Sequence, residues 1–231
     1  MADKMTKKEL EQPDEFHTIG WHALQYLSEH REKFYLGAAA VLLIIILAGA
    51  WYFYRLNYEN KAQSLYSSAY AAYSSQGSPE EERRGGYLKA VQIYEELVKE
   101  YPSSHAATLS FYNMGNLYSN IDDTEKAITA YKTFLKRSGN NDILTALAYH
   151  GLGYCYEEIE DYDNALKSFE DSNKRLQGTR FEYINYANIA RIYERMGRQK
   201  DALEFYRKAA GNTKDPLAEM LIKRKIAALA Q

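Results

Sequence analysis

The sequence predicts an all-α protein in which a single N-terminal transmembrane helix is followed by a solenoid of paired helices. Three observations carry that expectation. Residues 34–54, FYLGAAAVLLIIILAGAWYFY, contain no charged, amide or proline residue. Downstream of Arg55 no stretch shows the polar–apolar alternation of a half-buried strand. Ala90, Ala127, Ala165 and Ala202 recur at intervals of 37, 38 and 37 residues, and each is followed four positions later by an aromatic: Tyr94, Tyr131, Phe169 and Tyr206. Self-similarity at such a period marks stacked supersecondary units.

Residues 1–33 read as a polar tail with five Lys/Arg and seven Asp/Glu. Its first 13 residues are short, mixed in charge and expected to be disordered. From Asp14, residues Phe16, Ile19, Leu24 and Leu27, with Trp21 nearby, give a loosely amphipathic helix suited to the membrane interface. His17, His22 and His30 are spaced by five and eight residues, which builds no metal site, and no metal is expected anywhere in the chain.

Residues 34–54 would span about 31 Å as a helix, close to the hydrocarbon thickness of a bilayer. Arg31 and Lys33 flank one end and Arg55 the other, with Phe34, Tyr35, Trp51, Tyr52, Phe53 and Tyr54 at the two boundaries. Amphipathic rings favour those depths. Ala48-Gly49-Ala50 resembles a signal-peptidase site, but a 33-residue net-acidic leader and an overlong apolar run favour an uncleaved anchor. The basic residues near the two ends balance. Lys4, Lys7 and Lys8 then tip the count toward a cytoplasmic N-terminus, leaving the C-terminal domain periplasmic in a Gram-negative inner (cytoplasmic) membrane.

The 177 residues beyond the run suffice for a domain with its own core. They carry 24 basic and 24 acidic residues, a balance without the electrostatic footprint of a nucleic-acid binder. The single cysteine, Cys155, allows no intramolecular disulfide and is expected to be a small buried residue. Upstream of the last three alanines a second set recurs: Met114-Gly115 with Tyr118, Leu152-Gly153 with Tyr156, and Ile189-Ala190 with Tyr193. Phe111, Tyr149 and Tyr186 stand four residues before each small residue. Aromatic, small residue and tyrosine at i, i+4 and i+7 share one helix face, and the small residue admits a close partner helix. The aromatic of the second helix then plugs the gap toward the next repeat. Turns are expected at Pro102, Gly139, Gly178, Gly197 and Gly211, with N-caps at Asp123 and Asp161.

These residues resemble the tetratricopeptide repeat, W-x2-L-G-x2-Y then A-x3-F then P, over about residues 57–212. The match is fullest in the repeats starting near Thr108, Ala146 and Tyr183. In the first, Ala90, Tyr94 and Pro102 fit, Tyr66, Ala69, Tyr70 and Tyr73 are the candidate first-helix positions, and residues 76–86 form an insertion. The expected layout is a tail over 1–33, the span over 34–54, about four helix pairs over 55–214 and a capping helix over 215–231. Leu217, Met220, Leu221, Ile226 and Leu229 would be the apolar stripe of that cap.

No catalytic constellation stands out. Gly151-Leu152-Gly153 lies inside a helix and follows no strand, so it is no phosphate loop, and no G-x-S-x-G or H-E-x-x-H occurs. Neither enzymatic activity nor a cofactor is expected. Glu157, Glu158 and Glu160 read as solvated surface. Function is placed instead in a groove lined by first-helix residues: Tyr112, Asn116 and Asn120; His150, Tyr154, Glu157 and Glu158; and Arg191, Glu194 and Arg195. Aromatics beside amides and both charges suit a polypeptide partner. The repeat family's basic clamp for a C-terminal carboxylate is not matched, because Tyr112 and His150 stand where its basic residues would be.

The short tail, one span, repeat domain and terminal Leu217-x-x-Met220-Leu221-x-x-Arg224-x-x-x-x-Leu229 also resemble the YfgM-type ancillary subunits of the bacterial SecYEG translocon. That resemblance implies a periplasmic scaffold contacting translocon subunits, exported polypeptides or periplasmic chaperones. An alternative rests on Tyr101-Pro102-Ser103-Ser104-His105-Ala106, which is similar to links in tetratricopeptide adaptors of outer-membrane assembly and cell-envelope coordination.

Overall fold

A computed structural model describes residues 21, 25–26, 28–74, 79–139, 142–179 and 181–230. From Arg31 onward its ordered elements are helices: α1 (Arg31–Tyr73), α2 (Glu80–Glu100), α3 (His105–Asn120), α4 (Thr124–Arg137), α5 (Asp142–Glu158), α6 (Tyr162–Leu176), α7 (Glu182–Arg195), α8 (Gln199–Asn212) and α9 (Pro216–Leu229). The all-α expectation holds. The chain divides into two compact units, one ending at Leu56 and the other beginning at Asn57. Phe16, His17, Ile19, His22, Leu24 and Leu27 of the expected interfacial helix lie outside the described residues, as do Gln76 and Ser78 of the expected insertion.

In the first unit, α1 contains an 18-residue window of mean hydropathy 2.3, none of it buried within the chain. It is long and apolar enough to cross a membrane. The large side chains from Phe34 to Leu56 are outward-facing, including Trp51, Tyr52, Phe53 and Tyr54.

The second unit is built from consecutive helices that each pack on the next, with α3 also touching α5. The four periodic alanines, Ala90, Ala127, Ala165 and Ala202, are completely buried, and their aromatic followers Tyr94, Tyr131, Phe169 and Tyr206 are nearly so. The small residues do what the spacing predicts. A Cβ on Gly115 would stand 2.6 Å from the Tyr131 ring, and one on Gly153 would stand 2.5 Å from Phe169. Gly151 also faces Tyr131, at 2.5 Å from a built Cβ. Tyr131 therefore wedges between the first helix of its own pair and that of the next, since no side chain larger than hydrogen fits at either glycine.

The turns from first to second helix in the last three pairs each use a left-handed residue. Asp122 has φ 63°, Glu160 60° and Gly197 73°. The next amide then reaches back to the helix it leaves: Asp123 to Tyr118, Asp161 to Tyr156 and Arg198 to Tyr193, each at 2.9 Å. This arrangement satisfies the last carbonyls of the first helix. Asp123 and Asp161 cap α4 and α6 as expected, accepting from the amides of Lys126 and Asn164. Gly211 makes no turn; it lies inside α8, which runs to Asn212. Residues 80–86 of the expected insertion are also helical, giving α2 a length of 21 residues.

The apolar stripe expected on α9 is split. Ile222 is buried, and Ile226 and Leu229 pack with it against a cluster containing Ala190, Tyr206 and Ala209. Leu217, Met220 and Leu221 face outward. An α-helix cannot turn residues 217 and 222, some 140° apart, toward one neighbour.

Candidate functional site

The expected groove residues sit on first helices, and α5 and α7 carry the connected part. Their register is set by side chains 34 or 35 residues apart. His150 Nδ1 donates to Asn185 Oδ1 at 2.8 Å, Asn188 Nδ2 donates to Tyr154 Oη at 3.1 Å, and Arg191 Nη2 donates to Glu157 Oε2 at 2.7 Å. One turn further on, Arg195 Nε stands 3.2 Å from Glu157 Oε1 as an ion pair, off the direction of a hydrogen bond. Positions 150, 154 and 157 lie on one face of α5, and positions 185, 188, 191 and 195 follow the same i, i+3, i+4 pattern on α7. The sequence thus repeats this interaction down the seam between two helix pairs.

Burial grades along the seam. Asn185 is inaccessible and passes a second hydrogen bond, from Nδ2 to Ser172 Oγ on α6 at 2.9 Å. His150 forms edge-to-face contacts with Tyr154 and Phe169. Burial lowers its pKa, the Asn185 bond opposes that, and Arg191 adds to the lowering. The ring is then neutral and holds its proton on Nδ1, facing the amide oxygen. Tyr154 is 39% exposed, stacks edge-on against Phe169 and lies under the Arg191 guanidinium. Glu157 overturns its expected placement on solvated surface: it is 5% exposed, with the half-open Arg191 and Arg195 as its counter-charges. A carboxylate so placed requires pairing.

The other expected residues turn elsewhere. Tyr112 packs on the rings of Tyr131 and Phe134, and Asn116 Oδ1 accepts from Tyr131 Oη at 2.6 Å. Asn120 is exposed and donates to the Asn116 carbonyl. Glu158 accepts from Thr124 Oγ1 at the start of α4. Glu194 looks toward the last two helices, accepting from Tyr206 Oη at 2.9 Å and from Lys225 Nζ at 3.0 and 3.1 Å. Burial opposes its ionisation, but these bonds outweigh that and hold its pKa below the usual value. His150, Tyr154, Glu157, Arg191 and Arg195 thus come together, and Glu158 and Glu194 do not join them.

Two members of the seam were not singled out from the sequence, Asn185 and Asn188. The signal was present, since they follow His150 by 35 and Tyr154 by 34 residues, within one residue of the interval that separates Glu157 from Arg191. Asn113 is a third. Its amide donates to Tyr66 Oη at 2.7 Å and Tyr94 Oη at 3.1 Å, tying α3 to the first pair. Cys155 is buried as expected, and desolvation pushes its thiol up to about 11.

Three family models match the chain, each described as tetratricopeptide repeat: over residues 62–104, 104–177 and 184–215. Together they cover well over half of it. No curated protein matches the chain in sequence. Among solved structures it is similar to a Podosopora anserina putative kinesin light chain with nearly identical TPR-like repeats, at TM-score 0.57 and 12% identity, over 75% of this chain and 87% of that one. MamA is similar at TM-score 0.52 and 18% identity, over 73% and 87%. The apo form of RapI is similar at TM-score 0.57 and 15% identity, over 75% of this chain and 49% of that one. At such identities the likeness is one of fold.

Proposed function

The chain is a tetratricopeptide repeat protein, and from that premise we propose that it is a membrane-anchored scaffold whose first-helix face binds polypeptide. Repeats of this family are protein–protein interaction scaffolds, so protein partners follow from the fold. The observation that carries the finer reading is the α5–α7 seam. It offers a partly open tyrosine, two half-open guanidinium groups and fixed amides on a rigid pair of helices. Tyrosine and arginine supply contact area and directional donors with little ordering cost, because packing already holds them. The apolar window of α1 supports the anchor, being long enough to span a bilayer and unburied within the chain.

An anchor raises the effective concentration of the scaffold for any partner in or beside the same membrane, so weak contacts in the seam suffice. On this reading residues 34–54 cross the cytoplasmic membrane, the repeats face the periplasm, and the partners are translocon subunits, exported chains or periplasmic chaperones. The test is a photocrosslinking residue at position 154 in native membranes. Adducts with translocon subunits or nascent exported chains support the proposal. Adducts confined to outer-membrane assembly components favour the adaptor role instead, and absence of any protein adduct sinks the binding face. Protease added to sealed spheroplasts digests the repeats if they are periplasmic. Protection there, with digestion in inverted vesicles, overturns the orientation.

A further inference from the structure

Helix α9 packs on α8 with only one side. Ile222, Ile226 and Leu229 enter the cluster with Tyr206 and Ala209, while Leu217, Met220 and Leu221 stay 62%, 58% and 50% exposed. Those three recur at i, i+3 and i+4, a short apolar stripe little more than one turn long on the outer side of the helix. The surface continues past the helix start, where a cleft of 340 Å³ is lined by Phe181, Tyr183, Ile184, Lys214 and Asp215. Phe181 is itself 46% exposed.

The charged side chains within and directly beside the stripe on α9 are cationic. At 100° per residue, Arg224 falls within it, and Lys223 and Lys225 border it on either side, Lys225 being paired with Glu194; Lys214 precedes the helix and lines the cleft. Within α9 the carboxylate is Glu219, on the far side of the helix from the stripe and paired to Lys223 at 2.6 Å; Asp215, next to Lys214 in the cleft, is held as the cap of the first turn. A second copy of α9 laid on the stripe would bring cations against cations. An apolar ridge edged by lysine and arginine fits an anionic lipid interface, where the stripe enters the acyl boundary and the long cationic stems reach the headgroups.

We infer that the outer face of α9, Leu217, Met220 and Leu221 with Lys214 and Arg224, is a second membrane contact, selective for anionic lipid. This rests on the anchored reading, because a tether keeps the face within reach of a bilayer and makes shallow, reversible docking effective. The contact would hold the repeat domain against the leaflet rather than free above it.

The full chain tests this when reconstituted in phosphatidylcholine vesicles with or without phosphatidylglycerol. An environment-sensitive fluorophore is attached at Leu221→Cys; buried Cys155 leaves the wild type as the unlabelled control. A second preparation carries the label at Ile44→Cys, and the two positions are read independently. The expected result is a blue shift of the position-221 label, with quenching by brominated lipid, in anionic vesicles only. High salt and the Lys214→Gln and Arg224→Gln substitutions should reverse it, each substitution weakening docking about fivefold. A water-exposed label at 221 in anionic vesicles overturns the inference. So does a shift equal in both lipids, or one that rises with protein-to-lipid ratio, which marks self-association. If the label at 44 stays in water the anchored reading has failed, whatever position 221 reports.

Discussion

Glu157 sits 5% exposed between two guanidinium groups that come from another helix pair, and that asymmetry of burial governs what substitutions there do. Replacing Glu157 by methionine leaves arginines that are half open and can turn to water. The expected change is within about 1 kcal/mol. Replacing Arg191 and Arg195 together strands a carboxylate in the seam, with an expected cost of about 3 kcal/mol after allowing for solvent screening at the open arginines. Urea midpoints of the two variants separate the cases, and equal losses contradict the account. His150 gives a second prediction at this scale. Its folded pKa lies below the unfolded 6.5, so the unfolded chain binds the proton more readily. Its contribution is fully present above about 6.5 and is lost as pH falls through the folded value. His150→Gln should therefore flatten the acid side of the melting-temperature profile; an unchanged slope would mean that the ring is not a source of it.

Packing of one helix on another depends on single missing methyl groups. Gly153 has Phe169 where its Cβ would be, so Gly153→Val forces ring or backbone to move, at an expected cost of about 1–3 kcal/mol. Ala190 occupies the equivalent place in the last pair, so that pair accommodates one carbon there; at Gly153 the Cβ itself already meets Phe169, and the branched side chain adds to the strain. The turns offer the opposite opportunity. Asp122 and Glu160 hold a left-handed conformation that costs an L-residue about 1 kcal/mol, whereas Gly197 meets the same requirement without it. Glu160→Gly and Asp122→Gly should each raise stability by about 0.5–1 kcal/mol, and Gly197→Ala should lower it by a similar amount. Thermal melts that moved the other way would show that side-chain contacts at these turns outweigh backbone strain.

Across the molecule, stacking makes stability a matter of nearest neighbours. Helix α9 covers Tyr206 and Ala209 of the last pair, whereas α3 to α6 find their partners without it. Truncation after Asn212 should speed amide hydrogen exchange in α7 and α8 and leave α3 to α6 near their original protection. Uniform loss across all pairs would instead mark a single cooperative unit. Exposed Leu217, Met220 and Leu221 belong to this scale too, since their role depends on what lies outside the chain.

Much of this was legible beforehand because it rests on local rules. The alanine–aromatic period, the capping aspartates and the apolar run each report on a few neighbouring residues, and periodic burial followed from them. Gly211 was misread because a glycine close to the end of a helix looks the same in sequence whether it ends the helix or rides inside its last turn. The stripe of α9 was misread because both of its faces are apolar, and sequence periodicity does not say which face meets a neighbour. Glu157 was misread for a related reason: its burial depends on Arg191 and Arg195, which are 34 and 38 residues away.

The sequence by itself determined an all-helical repeat protein with one helix fit to cross a membrane. Those properties follow from composition and from spacing within a turn or a repeat. Only the tertiary structure decided which polar residues of adjacent repeats meet across the α5–α7 seam, and which side of α9 is left uncovered. Both outcomes depend on how one helix pair is rotated against the next. Tyr131 and Phe169 on the glycines beneath them fix how the middle pairs meet, and Tyr206 and Ala209 receive the buried side of α9.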